Sequence, residues 1–239
     1  APYTWSYGPS AVSGTAAWWP GESSAAELVA GNHGALLNGV SFVSGVAGNA
    51  FSFDGANDYM QVADQSALRP MQISLEAWVR PASASQSGDR ALVAKTDSVT
   101  APGIGYGLRQ LGGTGTLRFW INTEFVDAPV VAGAWNHVVA TYDLTNLRIY
   151  VDGVQVASKP YTTAINHSAQ PLFFGGNATS STCWNGALDE PVICNRALTA
   201  GEVAARYDLV VNGNRGLPAG ISLDTSSGLL SGTPTAVPA

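Results

Sequence analysis

Residues 135–157 read WNHVVATYDLTNLRIYVDGVQVA. The stretch holds three strand-like runs, HVVATYD (137–143), LRIYV (147–151) and VQVA (154–157). Apolar residues alternate with others along them, the period-two repeat of a half-buried strand. The last two runs meet at Asp152-Gly153, a dipeptide that tolerates the positive φ angles of a tight hairpin tip.

The same grammar extends in both directions. Upstream lie AFSF (50–53), YMQV (59–62), ISLEAWVR (73–80, closed by Pro81), ALVAK (91–95), YGLRQ (106–110) and LRFWIN (117–122). Downstream lie PLFFG (171–175) and ALDEPVI (187–193). Asp54-Gly55, Gly112-Gly113 and Asn185-Gly186 punctuate them. A single segment reads as helix: Thr199-Ala200-Gly201-Glu202 fits a capping box, followed by VAARY,. Many short strands and no strand–helix–strand alternation predict an all-β, two-sheet antiparallel sandwich with one short C-terminal helix.

Composition agrees. The 239 residues are 46% hydrophobic and 12% charged, with 27 Gly and 13 Pro, enough for one large all-β domain and a fragment of a second,. A formal net charge of −6 argues against nucleic acid as a partner, since phosphate binding needs a basic face,. No apolar run approaches the roughly 18 residues of a membrane span, so no insertion is expected. The first residues, APYTWSYGPS, lack the basic and apolar regions of a signal peptide,. After Tyr207 the chain turns rich in Gly, Ser, Thr and Pro and loses its aromatics, which places a boundary between residues 1–210 and 211–239.

Several motifs resemble, in order, those of bacterial laminin-G-like (concanavalin-A-like) domains. These are WWPGESSAAELVAGNHGALLNGVSF, FSFDGANDYMQV, ISLEAWVRP, AWNHVVATYD, LRIYVDGVQVA and NGALDEPVICNRALTAGEV. The tail GLPAGISLDTSSGLLSGTPT resembles the start of a putative-Ig-type module. The resemblance implies a jelly roll, an extracellular setting (secreted or at the cell surface) and neighbouring modules in a parent chain. It also implies a non-catalytic glycan-binding or adhesive role, the alternatives being a structural spacer of a multi-domain surface protein or a jelly-roll glycoside hydrolase or lyase. Asn57, Trp184 and Cys194 depart from the family pattern.

The family likeness also implies one structural calcium ion. Glu22, Asp54, Asn57, Asp58 and Asp189 are the candidate ligands, gathered where the first strand, the DGAND turn and the last strand meet; Asp54 and Asp58 are alternatively caps of their own turn. Hydrolysis needs two carboxylates on one strand face, as in an E-x-D-x-E pattern, and none occurs. Asp189 and Glu190 are adjacent, so a regular strand sends them to opposite faces. His137 reads as a strand residue with a local hydrogen bond, and Trp78 and Trp135 read as packing residues.

For a saccharide, Trp120 is the candidate platform. In LRFWIN, Leu117, Phe119 and Ile121 share one face and Arg118, Trp120 and Asn122 the other, with Arg109 of YGLRQ beside them. If the first set is core, the second is an outward polar-aromatic row suited to a sugar ring; the alternative is an outer face under a loop. Cys183 and Cys194 flank a strand, whose extended length of roughly 36 Å argues against their pairing, whereas an exported chain with two cysteines usually pairs them; the expectation is that they are not bonded to each other.

Overall fold

A computed structural model of the chain describes residues 12–96, 104–167, 169–177, 182–211, 221–223 and 230–232. Two antiparallel sheets stack face to face as a jelly roll. With strands numbered along the chain, the first sheet runs β13 (Val154–Pro160), β12 (Asn146–Val151), β11 (Asn136–Tyr142), β6 (Ile73–Pro81), β15 (Asn185–Cys194), β4 (Asn49–Asp54) and β3 (Ser41–Ser44). Its eighth strand, β1 (Thr15–Trp18), pairs with the far end of β15. The second sheet runs β10 (Glu124–Pro129), β9 (Thr116–Ile121), β8 (Tyr106–Gln110), β7 (Arg90–Lys95), β14 (Leu172–Phe174), β5 (Tyr59–Val62) and β2 (Gly34–Leu37).

Alternation decides which side chains enter the space between the sheets. Leu75, Ala77 and Val79 of β6 and Val138, Ala140 and Tyr142 of β11 face inward. They meet Leu117, Phe119 and Ile121 of β9, all wholly buried. Trp19 packs edge-on against Phe174 with ring centroids 5.0 Å apart. Large aromatic and branched side chains carry most of the stabilisation here, at about 25 cal/mol for each Å² of apolar surface removed from water.

The residues between these inward positions face out, and on the first sheet they receive the helix α1 (Ala200–Val211). Its N-terminus is the expected capping box: Glu202 N donates to Thr199 Oγ1 (3.2 Å) and Thr199 N donates to Glu202 Oε2 (2.8 Å). Arg206 Nε donates to Glu76 Oε2 (2.5 Å), and Glu76 Oε1 meets His137 Nε2 (2.9 Å). Tyr207 stacks on Trp78 and on His137. Glu76, Trp78 and His137 are therefore the seat of the helix. Val139, Val192, Leu198 and Val203 form a second apolar cluster around it. Burial raises the Glu76 carboxyl, but its hydrogen bond to His137 and the Arg206 charge outweigh that and hold it low.

Cys183 and Cys194 are both buried, and no disulfide joins them. In the tail, β16 (Ile221–Leu223) and β17 (Leu230–Gly232) pair with each other as a separate two-stranded sheet. The tail beyond the expected boundary lies mostly outside the described residues.

Candidate functional site

Three places bear on function. On β9 the alternation is as expected, with Trp120 on the face opposite the core, but the expected exposed row is corrected. Trp120 is 4% exposed. Its indole lies over Gly107 of β8, where an added Cβ would come within 2.3 Å of the ring, and it packs with Ala91, Ala94 and Phe125. Arg109 is buried, 5.6 Å over the Trp120 ring and 3.5 Å from Asp89. Arg118 makes two 2.8 Å bonds to Asp127 and lies over Phe125. Asn122 turns out of the strand at φ +52° and is buried. Its amide donates to Tyr161 Oη (3.0 Å) and Ala164 O (2.9 Å), and its carbonyl accepts from Asn166 N (2.8 Å). Period-two patterning says which face a residue occupies; it does not say whether that face is covered.

The five candidate calcium ligands also divide. Asn185 of β15 pairs with Asp54, whereas Asp189 lies beyond the Leu188–Phe51 pair at the other end of β4. At about 3.3 Å per residue, the DGAND turn is more than 10 Å away from Asp189. Its acids serve their own turn: Asp54 Oδ1 accepts from Ala56 N (2.7 Å) and Asn57 N (3.4 Å), and Asp58 Oδ2 accepts from Asp54 N (3.3 Å). Asn57 gives its backbone carbonyl to Asn38 Nδ2 (3.0 Å). A single site holding all five residues is therefore ruled out by the length of one strand.

Glu22 and Asp189 do come together, because β1 pairs with β15 as the fold requires. The 45–48 loop between β3 and β4 closes around both. Asp189 Oδ2 accepts from Val46 N (2.6 Å) and Ala47 N (3.0 Å), and Glu22 Oε2 accepts from Asn49 N (3.1 Å). Gly45 and Gly48 are small from necessity: a Cβ at either would strike the Asp189 or the Glu22 carboxylate. Asp189 Oδ1 is buried with no hydrogen-bond partner among the described residues, and so is Glu190 Oε1. Glu190 stands at φ +53° in a bulge of β15, where its other oxygen accepts from Trp18 Nε1. Burial, reinforced by neighbouring carboxylates, pushes Asp189 up to about 7 and Glu190 up to about 8. Orphaned, strained acids of this kind fit a hard cation. Among the described residues, however, no three His, Cys, Asp or Glu side chains converge, so backbone carbonyls and water would have to complete the shell,.

The third place was not anticipated. A groove of about 220 Å³ opens on the outer face of the first sheet, lined by Ser52, Arg80, Gly133, Asn185, Gly186 and Ala187 among others. Glycine and alanine line it where larger side chains would fill it. Both rims are pinned by buried amides. On one side Asn136 accepts from Val131 N (2.8 Å) and donates to Val131 O and Ala134 O, while Gly133 N donates to Pro81 O (2.8 Å). On the other, Gln86 accepts from Asn185 N (3.0 Å) and donates to Asn185 O (2.7 Å) and to Gln110 Oε1 (2.9 Å). Gln110 in turn accepts from Trp184 Nε1 (2.8 Å). Trp135, expected in the core, is instead half-buried in the rim loop, with the Arg80 guanidinium carbon 4.7 Å above its ring.

This is a jelly-roll sandwich with a pre-shaped open groove on one sheet and a buried acidic pair where the chain's first strand meets its last long one. Residues 54–204, more than half of the chain, match the model of the concanavalin A-like lectin/glucanases superfamily, and the chain belongs to that family. Residues 196–239 match a putative Ig domain, overlapping the helix that here docks on the sandwich. No curated protein matches in sequence. Among solved structures, domain 4 of AbnA, a GH43 extracellular arabinanase from Geobacillus stearothermophilus, in complex with arabinotriose, is similar at TM-score 0.68 and 18% identity, covering 81% of this chain and 98% of that one. The binding domain of botulinum neurotoxin DC in complex with SialylT is similar at TM-score 0.67 and 12% identity, covering 83% of this chain and 52% of that one. The Paraclostridial Mosquitocidal Protein 1 binding domain follows at 0.60 and 18%, covering 74% and 47%. The chain thus spans about half of the toxin domains. At these identities the likeness is one of fold.

Proposed function

We propose that the chain is an extracellular, non-catalytic carbohydrate-binding module, stabilised by one calcium ion and carried beside other modules in a longer protein. The observation that carries this reading is the groove. It is open, floored by small residues and held in shape by buried amides before any ligand arrives, so little conformational freedom is lost on binding. Trp135, in the loop that supplies Gly133 to the lining, holds Arg80 in place through its ring. The similar AbnA domain and toxin domain were captured with arabinotriose and SialylT, which supports saccharide as the ligand class.

A binding rather than hydrolytic role is supported by the lining, which holds no carboxylate among the described residues. Asp189 and Glu190, the acids pushed up to about 7 and about 8, lie elsewhere, against the 45–48 loop and Trp18. There a calcium ion would be held by Glu22 and Asp189 together with backbone oxygens. It would neutralise the buried charge and tie β1, β15 and the loop between β3 and β4 together.

A glycan array with the whole chain tests the reading. Retention of at least one saccharide class, lost on Trp135→Ala without a fall in melting temperature, is expected. A folded protein that retains no glycan would overturn it.

A further inference from the structure

Six arginines of the sandwich pair with an acid. Arg69, Arg109, Arg118, Arg148, Arg196 and Arg206 each stand against an Asp or Glu. Arg80 lines the groove and meets no carboxylate among the described residues; its partner is the Trp135 ring. A contact through an aromatic π face orders a guanidinium while leaving its five N–H groups available. Two further polar groups in the lining have no hydrogen bond from their side chains among the described residues, the Ser52 hydroxyl and the Asn185 amide. The nearest acid along β4 is Asp54, at the end of the strand, and it is turned onto Ala56 N and Asn57 N.

We infer that the groove recognises saccharides bearing a carboxylate, with Arg80 as the residue that pairs with it and Ser52 and Asn185 bonding the neighbouring hydroxyls. The inference rests on the glycan-binding reading and narrows it to acidic sugars. Arginine suits the task because its planar fork matches both oxygens of a carboxylate and stays charged at any working pH. The Trp135 ring holds the fork in place. In a chain of net charge −6, an acidic ligand is repelled at long range. Selection must therefore come from this local pairing, and retention should weaken with added salt.

The test is affinity electrophoresis of the whole chain in polygalacturonate, in carboxyl-reduced polygalacturonate and in neutral arabinan, with sialyllactose titrated in parallel. Binding to polygalacturonate or sialyllactose, and not to the reduced or neutral polymers, is expected; which of the two binds identifies a uronate or a sialate ligand. Arg80→Gln should weaken that binding about tenfold or more, the loss expected of a charge-assisted pair, with an unchanged melting temperature. Arg80→Lys should retain part of it. Equal binding to polygalacturonate and its reduced form, or an Arg80→Gln protein that binds as well as the parent, would overturn the inference and leave the glycan reading standing. Binding to no polymer and no oligosaccharide would overturn both.

Discussion

The buried acids make stability depend on calcium and on pH together. Asp189 titrates near 7 in place of 3.8, chiefly because it is buried. A carboxyl whose folded pKa is raised favours folding below its unfolded pKa and loses that advantage as pH climbs through the folded value. Without metal, stability should therefore fall from about pH 4 to about pH 8. At 1.36 kcal/mol per pKa unit, Asp189 alone sets a ceiling of roughly 4 kcal/mol. Glu190, raised to about 8, titrates with it as a coupled pair, so the two effects do not add,. Roughly 2–4 kcal/mol corresponds to about 5–15 °C in melting temperature for a domain of this size. Calcium binding to the ionised acids should remove most of this slope. Scanning calorimetry in EDTA and in excess calcium across that window is the assay. The difference between the two curves cancels groups away from the site, such as His167, whose lowered pKa works in the opposite direction. A gap that widens with pH is expected. Coincident curves at about pH 8 would refute the calcium account, and a metal-free curve that still falls as steeply with pH after Asp189→Asn and Glu190→Gln are combined would refute the assignment of the slope.

Other perturbations test the framework. Arg206→Ala leaves the Glu76 carboxylate buried without its guanidinium and should cost about 3–5 kcal/mol by urea denaturation; a loss below 1 kcal/mol would show that the helix is not seated through this pair. Thr199→Ala removes the cap and should cost only about 1 kcal/mol, readable as a small fall in melting temperature. Trp120→Ala should cost about 3–5 kcal/mol, because the ring is packed over Gly107 and beside Ala91 and Ala94; a stable variant would return Trp120 to the surface.

The fold was legible because its signals are local. Alternation in ISLEAWVR, LRFWIN and HVVATYD marks the core face, and Thr199 with Glu202 marks the helix start. The functional surface was less legible because it depends on what covers what. Trp120 and Trp135 both lie in strand motifs of the sequence, yet one is sealed over Gly107 and the other is half-buried against Arg80. Arg80 follows Trp78 by two in ISLEAWVR, so its outward direction was readable; that no acid meets it was not, since acids reach arginines from distant strands. The pairing of Glu22 with Asp189 followed from the first and last long strands lying side by side. The exclusion of Asp54, Asn57 and Asp58 followed from strand length, which the motif alone conceals. The bulge at Glu190 broke the expectation that it and Asp189 sit on a regular strand.

The central claim is that the groove between Arg80 and the Asn185 edge is the place where ligand binds. The most direct measurement is a crystal structure of the chain with an oligosaccharide that it retains. The account predicts the sugar in that groove, against Trp135, with Arg80, Ser52 and Asn185 within hydrogen-bonding distance. Sugar bound on the β8–β9 face, or anywhere else with the groove left vacant, would contradict it.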